Sequence, residues 1–334
     1  MTRSWSAFRI PMVVASFLLA STATQAAAAV GTISTFGPPL AGTSCANPEG
    51  LAIDLQGFIY TASDIDGAPT GTICVFSAAG ALARTISIPA GPTGVAPLIG
   101  MLFEEPHTLF VADGADGGPG NGRLLRVNTQ SNSVTVLASG FNFPNAIAED
   151  LAGNLYVSDS DLGTINRISQ TGSDNVVWAS SPLFAKGDIP VGINGLAFDR
   201  LSRNLYATNT NDSRVLRIPL LANGNAGAVQ IFADGPTIDA NQHTTGSLVG
   251  PDGLAFDLLG NIYVAAHIGE IQVLSPSGHL IARFSGTGAA TLAFPASVVF
   301  KGSQLYITNT ALFDDGASSR ITVLQAAFPG WPLN

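Results

Sequence analysis

The chain has 334 residues, of which 46% are hydrophobic and 11% charged, with 37 Gly and 20 Pro. It is too apolar to remain disordered and long enough to bury a large core. Its formal charge is −9 and its few Lys and Arg form no run. This argues against nucleic acid or an anionic membrane as partner and favours a small neutral, weakly polar or cationic molecule.

The first expected element is a targeting segment. "MTRSWSAFR" carries two Arg, "IPMVVASFLLA" is apolar but too short to span a bilayer, and "STATQAAAA" supplies small residues for cleavage. Residues 1–29 therefore read as a secretory signal, cut between about Ala26 and Ala29, and residues 30–334 as one domain. No later segment is long and apolar enough to span, so a periplasmic or extracellular location is expected. In that setting Cys45 and Cys74, 29 positions apart, are expected to form a disulfide worth about 3 kcal/mol on the chain-entropy model. No His or further Cys stands at zinc-ligand spacing.

A repeat then runs along the chain. "PEGLAIDLQGFIYTAS" begins at Pro48, "PLIGMLFEEPHTLFVADG" at Pro97, "PNAIAEDLAGNLYVSDS" at Pro144, "INGLAFDRLSRNLYATNT" at Ile193, "PDGLAFDLLGNIYVAAH" at Pro251 and "PASVVFKGSQLYITNT" at Pro295. Each copy holds two short apolar strands around a turn, and further strands such as "RLLRVN", "TINRIS", "RVLRIP", "IQVLS" and "ITVL" follow. A period of forty-odd to nearly sixty residues suits a four-stranded antiparallel blade, so the expectation is an all-β fold, a six-bladed β-propeller around a central channel. The last blade lacks a fourth strand after "ITVL", and "GTISTF" at 31–36 is expected to supply it. In the "DxxGN" turns Asp54, Asp150, Asp199 and Asp257 read as ordinary turn residues at the face opposite the candidate site.

One register position is different. Directly after the residue that opens each innermost strand the six blades carry Glu49, Ile99, Asn145, Asn194, Asp252 and Ala296. Four of these bear side-chain oxygen, and in a propeller they converge on the channel axis. Two carboxylates with two carboxamides suit a hard cation, Ca²⁺, which accepts such oxygens together with water.

The segments "PEG", "PNA", "INGLAFD" and "PDGLAFD" resemble the six-bladed calcium-dependent lactonase and esterase superfamily, the SMP-30/gluconolactonase/LRE-like family with paraoxonase and diisopropylfluorophosphatase. The resemblance covers about residues 30 to 325. It implies that Glu49, Asn194 and Asp252 bind a catalytic Ca²⁺, that Asn145 is a further ligand or substrate contact, and that Asp252 also serves as base or nucleophile. It departs at Phe143, where gluconolactonases resemble one another in an Arg, so a less polar ester or lactone is expected rather than a sugar-acid lactone.

Paraoxonase-like enzymes use channel histidines, and the candidates here are His267, after "YVAA", and His243, in the long loop entering blade five. His107 and His279 read as solvated turn residues. The chain has no G-x-S-x-G elbow, no H-E-x-x-H and no P-loop, and "GGPGNG" at 117–122 reads as a channel-side loop. The sequence thus points to a monomeric secreted hydrolase with a small lactone or ester substrate. The rival readings are a non-catalytic propeller of the NHL-repeat kind, whose motifs are similar, and a lyase of the streptogramin-cleaving type.

Overall fold

The computed structural model describes residues 28–63, 69–114, 118–172, 175–312 and 316–331. Nearly all of the expected signal segment, residues 1–29, lies outside the described residues.

The chain forms six antiparallel sheets, one for each repeat. Strand β1 (Ile33–Phe36) comes first, then blade one with β2 (Pro48–Ile53), β3 (Ile59–Ser63), β4 (Thr70–Phe76) and β5 (Leu82–Pro89). Blade two holds β6 (Leu98–Glu104), β7 (Thr108–Asp113), β8 (Gly122–Asn128) and β9 (Val134–Phe141). Blade three holds β10 (Pro144–Glu149), β11 (Leu155–Asp159), β12 (Thr164–Ile168) and β13 (Asn175–Ser180). Blade four holds β14 (Ile193–Phe198), β15 (Asn204–Asn209), β16 (Arg214–Pro219) and β17 (Gln230–Asp234).

Helix α1 (Gly235–Gln242) leads into blade five, with β18 (Pro251–Asp257), β19 (Ile262–Ala266), β20 (Glu270–Leu274) and β21 (Leu280–Phe284). Blade six holds β22 (Pro295–Lys301), β23 (Gln304–Asn309) and β24 (Arg320–Gln325), and a two-residue strand β25 (Gly330–Trp331) ends the described chain. The ring is fastened where β1 pairs with β24 as the outermost strand of blade six, from Ile33 opposite Leu324 to Phe36 opposite Ile321. No described helix is long and apolar enough to cross a membrane.

The core is divided into six parts, one between each pair of neighbouring blades. The repeated Tyr and Phe account for much of it. The second-strand Tyr of one blade meets the Phe closing the next blade's innermost strand, as in Tyr156 with Phe198, Tyr206 with Phe256 and Tyr263 with Phe300, at centroid distances of 5.0, 5.1 and 5.1 Å. These edge-on contacts suit the ring quadrupoles and add to area burial. Turn aspartates secure two of the second-strand tyrosines, Tyr156 and Tyr60. Asp150 accepts from Ala152 N, Asn154 N and Asn154 Nδ2 at 2.9 Å and from the Tyr156 hydroxyl at 3.1 Å. Asp54 accepts from the Tyr60 hydroxyl at 3.1 Å. Burial and then the adjacent carboxylate push the Tyr60 phenol up to about 12.

Two features differ from the sequence expectation. The loop entering blade five contains α1, capped by the Asp234 side chain on Thr237 N and ended by His243 in the left-handed region. The chain end also adds to blade five, since β25 pairs with β18, Trp331 opposite Phe256 and Gly330 opposite Asp257.

Candidate functional site

All six innermost strands break register at the same place. Pairing with the second strand shifts between Pro48 and Leu51, Leu98 and Met101, Pro144 and Ile147, Ile193 and Leu196, Pro251 and Leu254, and Pro295 and Val298. Each bulge thus contains the position held by Glu49, Ile99, Asn145, Asn194, Asp252 and Ala296. A bulge releases its residue from the ladder and re-aims the side chain. This is how a strand of otherwise buried apolar residues accommodates a carboxylate such as Asp252.

The second bulge residue is small for a steric reason. A Cβ on Gly50 would lie 2.1 Å from Ile99 O, on Gly100 2.0 Å from Asn145 O, on Gly195 2.3 Å from Asp252 O and on Gly253 2.6 Å from Ala296 O. The innermost strands therefore approach one another backbone to backbone at this level. Hydroxyls fix carbonyls at the same ring position. Ser158 Oγ donates to Asn194 O at 2.8 Å, Thr208 Oγ1 to Asp252 O at 2.7 Å and Thr308 Oγ1 to Glu49 O at 2.9 Å. Where the next blade presents Ile99 or Ala296, the donor position is Ala62 or Ala265 instead. Asn145 is the exception, for its counterpart is Ala112.

A second hydroxyl tier orients the side chains. Ser160 Oγ donates to Ile193 O at 2.6 Å and receives Asn145 Nδ2 at 3.2 Å. Thr210 Oγ1 donates to Pro251 O at 2.9 Å and receives Asn194 Nδ2 at 3.0 Å. Each hydroxyl has one proton, already given to a carbonyl, so it can only accept from the carboxamide. The NH₂ of each Asn must face outward and its oxygen must face away from the hydroxyl. Asn194 is 3% exposed, and its Oδ1 is a buried atom with no hydrogen-bond partner. Leaving such an acceptor unpaired costs about 1–3 kcal/mol.

In blade five the position of Ser160 and Thr210 is taken by His267, and that of the Asn residues by Asp252. His267 Nε2 lies 2.9 Å from Asp252 Oδ2. The contact joins a ring nitrogen to a carboxylate oxygen, and the tautomer with hydrogen on Nε2 is the one that can donate across it. The imidazole stacks on Phe294 at 3.7 Å and 21°, and His267 N donates to Gly250 O at 3.0 Å. Gly250 has φ +58, and a Cβ there would fall 2.8 Å from His267 Nδ1, so only glycine leaves room for this ring position.

Asn145, Asn194 and Asp252 are all buried and line one central cavity. Glu49 has the same bulge position in β2, half-buried, with its carbonyl held by Thr308. His243 stands apart. It is exposed at the end of α1, and neighbouring Gln242 bonds Leu280 on the outermost strand of blade five at 2.9 and 3.1 Å. The structure thus places His243 at the blade rim and does not bring it to the channel residues. His107 and His279 are exposed in hairpin turns. In the glycine loop, Gly120 N donates to Asn142 Oδ1 at 3.0 Å, which ties it to the entrance of blade three; residue 117 lies outside the described residues.

Among the described residues no three His, Cys, Asp or Glu cluster at metal-binding distance. The oxygen set counts only two carboxylates and depends on Asn145 and Asn194 for the rest. An orphaned buried Asn194 oxygen, a second carboxamide held in the same manner and an all-oxygen donor set fit a hard cation. Cys45 and Cys74 form the disulfide, with Cα atoms 5.9 Å apart, and no free Cys remains among the described residues. The bridge joins the segment just before Glu49 to β4.

The hydroxyl tier and the Phe294 stack were missed in the sequence. The signal for the tier is present at one fixed offset, in "SDS", "TNT" and "AAH", but it is meaningful only once the register is known.

Comparison with known proteins adds a match to a family model over part of the chain and a fold. Residues 185–311, which include Asn194, His243, Asp252 and His267, match the model of the SMP-30/gluconolactonase/LRE-like region. No curated protein matches the sequence. A regucalcin from Agrobacterium tumefaciens, described as a calcium-binding protein, superposes with a TM-score of 0.64 at 18% identity over 92% of this chain and 99% of its own. A gluconolactonase from Xanthomonas campestris gives 0.62 at 17% identity over 89% of each chain. Virginiamycin B lyase from Staphylococcus aureus gives 0.56 at 16% identity over 83% of this chain and 82% of its own. At such identities the superpositions establish the fold, and the chain is a six-bladed β-propeller carrying an SMP-30/gluconolactonase/LRE-like region in its second half.

Proposed function

We propose that this protein is an exported Ca²⁺-dependent hydrolase acting on a lactone or ester. Glu49, Asn145, Asn194 and Asp252 would hold the cation. The observation that carries the reading is the buried, partnerless Asn194 Oδ1, fixed in orientation by Thr210 beside the Asp252–His267 pair. The disulfide supports export, since such bonds persist in oxidising compartments.

Bound at these oxygens, Ca²⁺ would supply Lewis acidity that polarises the substrate carbonyl and stabilises the developing oxyanion. The chain's own residues do the rest. Ser160 and Thr210 keep the carboxamide oxygens from rotating away, and Ser158, Thr208 and Thr308 fix the backbone beneath three of the four donors. The Asp252–His267 pair takes a proton from the attacking water and returns it to the leaving group, with Phe294 holding the imidazole plane. Phe143 in place of a basic residue favours a weakly polar acyl or alcohol part.

The test is Asp252→Asn, assayed for calcium affinity, calcium-free melting and hydrolysis of aryl esters and lactones. Calcium should bind more weakly, because affinity follows ligand charge. Hydrolysis should fall by more than about 10³, on the scale of a general base. Calcium-free stability should hold or rise, because Asp252 and Glu49 no longer repel. A variant that keeps both affinity and activity would contradict this reading and leave a binding propeller. Activity on a streptogramin ring with none on esters would instead favour elimination.

A further inference from the structure

The cavity that begins at Asn145, Asn194 and Asp252 has a volume of about 460 Å³ and runs to Glu105, Leu151, Ser202 and Trp331 at the opposite face. Between these levels its lining side chains are apolar, among them Met101, Ile147, Leu196, Leu254, Val298 and Phe300. At the upper end the glycine-to-carbonyl approaches of the bulge ring close the strands on one another. At the lower end the turn residue Leu151 lines the mouth beside polar turn residues. Leu151 is 73% exposed, and Leu55, Leu201 and Leu259 are each 57% exposed at related turn positions. Exposed apolar residues grouped around an opening mark a site of interaction.

The chain end is built into this mouth. Trp331 lines the cavity. Its strand is held by Leu258 N on Pro329 O and Gly330 N on Gly302 O, both 2.9 Å, and the Arg200 guanidinium lies 5.3 Å from the indole. Gly330 rests on Phe300, where a Cβ would fall 1.9 Å from the ring. Carboxylates stand at the same level, Glu104, Glu105, Glu149, Asp150 and Asp199. Burial and the neighbouring Glu104 raise the Glu149 carboxyl above its ordinary range, although Gln170 donates to both.

We propose that the apolar half of the channel is a second binding site, entered past Trp331 from the far face, for an uncharged and largely apolar small molecule. Its volume lies within the range of ordinary ligand pockets, about 300–1,000 Å³. The acidic mouth opposes an anionic head group, and the apolar interior offers no counter-charge to a cation. The site stands independently of the hydrolase reading, because its apolar contacts lie below the oxygen donors.

The probe is 1-decanol, added to the full-length protein carrying Trp178→Phe so that Trp331 dominates the folded domain's fluorescence. A saturable change in emission is expected, unaltered by chelator and retained in Asp252→Asn. Decanoate should bind roughly tenfold or more weakly, since its charge meets the mouth carboxylates at close range. Val298→Phe, which fills the cavity, should weaken decanol binding at least tenfold while thermal melting confirms folding. Trp331→Ala should weaken decanol affinity by calorimetry, with thermal melting confirming that the fold is kept, since the indole also packs on the core between blades four and five. No saturable response to decanol, equal affinity for decanoate, unchanged calorimetric affinity in both variants, or loss of binding in Asp252→Asn would each overturn the proposal.

Discussion

Replacing Thr210 with Val keeps the shape of a fully buried side chain and removes one hydroxyl. That hydroxyl donates to Pro251 O at 2.9 Å and accepts from Asn194 Nδ2 at 3.0 Å. Two hydrogen bonds of about 1 kcal/mol each are lost, and two buried polar groups are left to find water or stay unpaired, so a total of about 2–4 kcal/mol is expected. For a domain of this size that corresponds to a melting temperature roughly 3 to 6 °C lower. The functional effect is separable. Without its acceptor the Asn194 carboxamide can turn its NH₂ to the axis, and calcium affinity should fall about 10- to 100-fold, the usual cost of losing a group that orients a ligand. Thr210→Ser retains both bonds and should restore affinity. Calorimetric calcium titration of the chelated variants, alongside melting curves, separates the two effects. Valine that melts lower yet binds calcium as tightly as the wild type would refute the argument that the hydroxyl tier sets the donor oxygens.

His267→Gln keeps an N–H to offer Asp252 but loses the imidazole that can take up a proton, so turnover should fall roughly 10² to 10⁴ with calcium affinity retained; a turnover equal to wild type would remove His267 from the proton path. Gly195→Ala places a Cβ 2.3 Å from Asp252 O, which should cost about 1–3 kcal/mol and weaken calcium binding, and unchanged values for both would show that the strand approach is not tight. Reduction of the Cys45–Cys74 bridge should lower stability by about 3 kcal/mol, read from denaturant melts with and without reductant. All five tyrosines are raised by burial, Tyr60 and Tyr263 to about 12. Their stabilising contribution is complete below the unfolded-chain value near 10 and is lost as pH rises through the folded values. Phenolate absorbance should therefore stay flat through pH 10 and rise together with unfolding, and a full step at pH 10 in the folded protein would contradict it.

The blades were legible in the sequence because each repeat carries its own turn chemistry and its own Tyr and Phe, and these residues pack against the adjacent copy. The oxygen-bearing register was legible for the same reason, since Glu49, Asn145, Asn194 and Asp252 each directly follow the residue that opens the innermost strand in blades one, three, four and five. What the repeat does not encode was missed. The orientation of Asn194 depends on Thr210, sixteen residues later and meaningful only through strand register. His243 was expected near the channel because its segment enters blade five, but α1 carries it to the outer edge, and a short loop sequence does not show which way a helix will turn. The pairing of Trp331 with Phe256 joins the chain end to a strand more than seventy residues earlier, and no local pattern announces it.

On the proposed reading, four oxygens from four blades meet at one cation. The most direct measurement is the electron density on the channel axis in crystals grown with calcium. One strong peak is expected, with oxygens of Glu49, Asn145, Asn194 and Asp252 at about 2.3–2.6 Å, water completing the sphere, and Asn194 Nδ2 still on Thr210. A featureless axis, or a peak from which Asn194 Oδ1 is turned away, would contradict it.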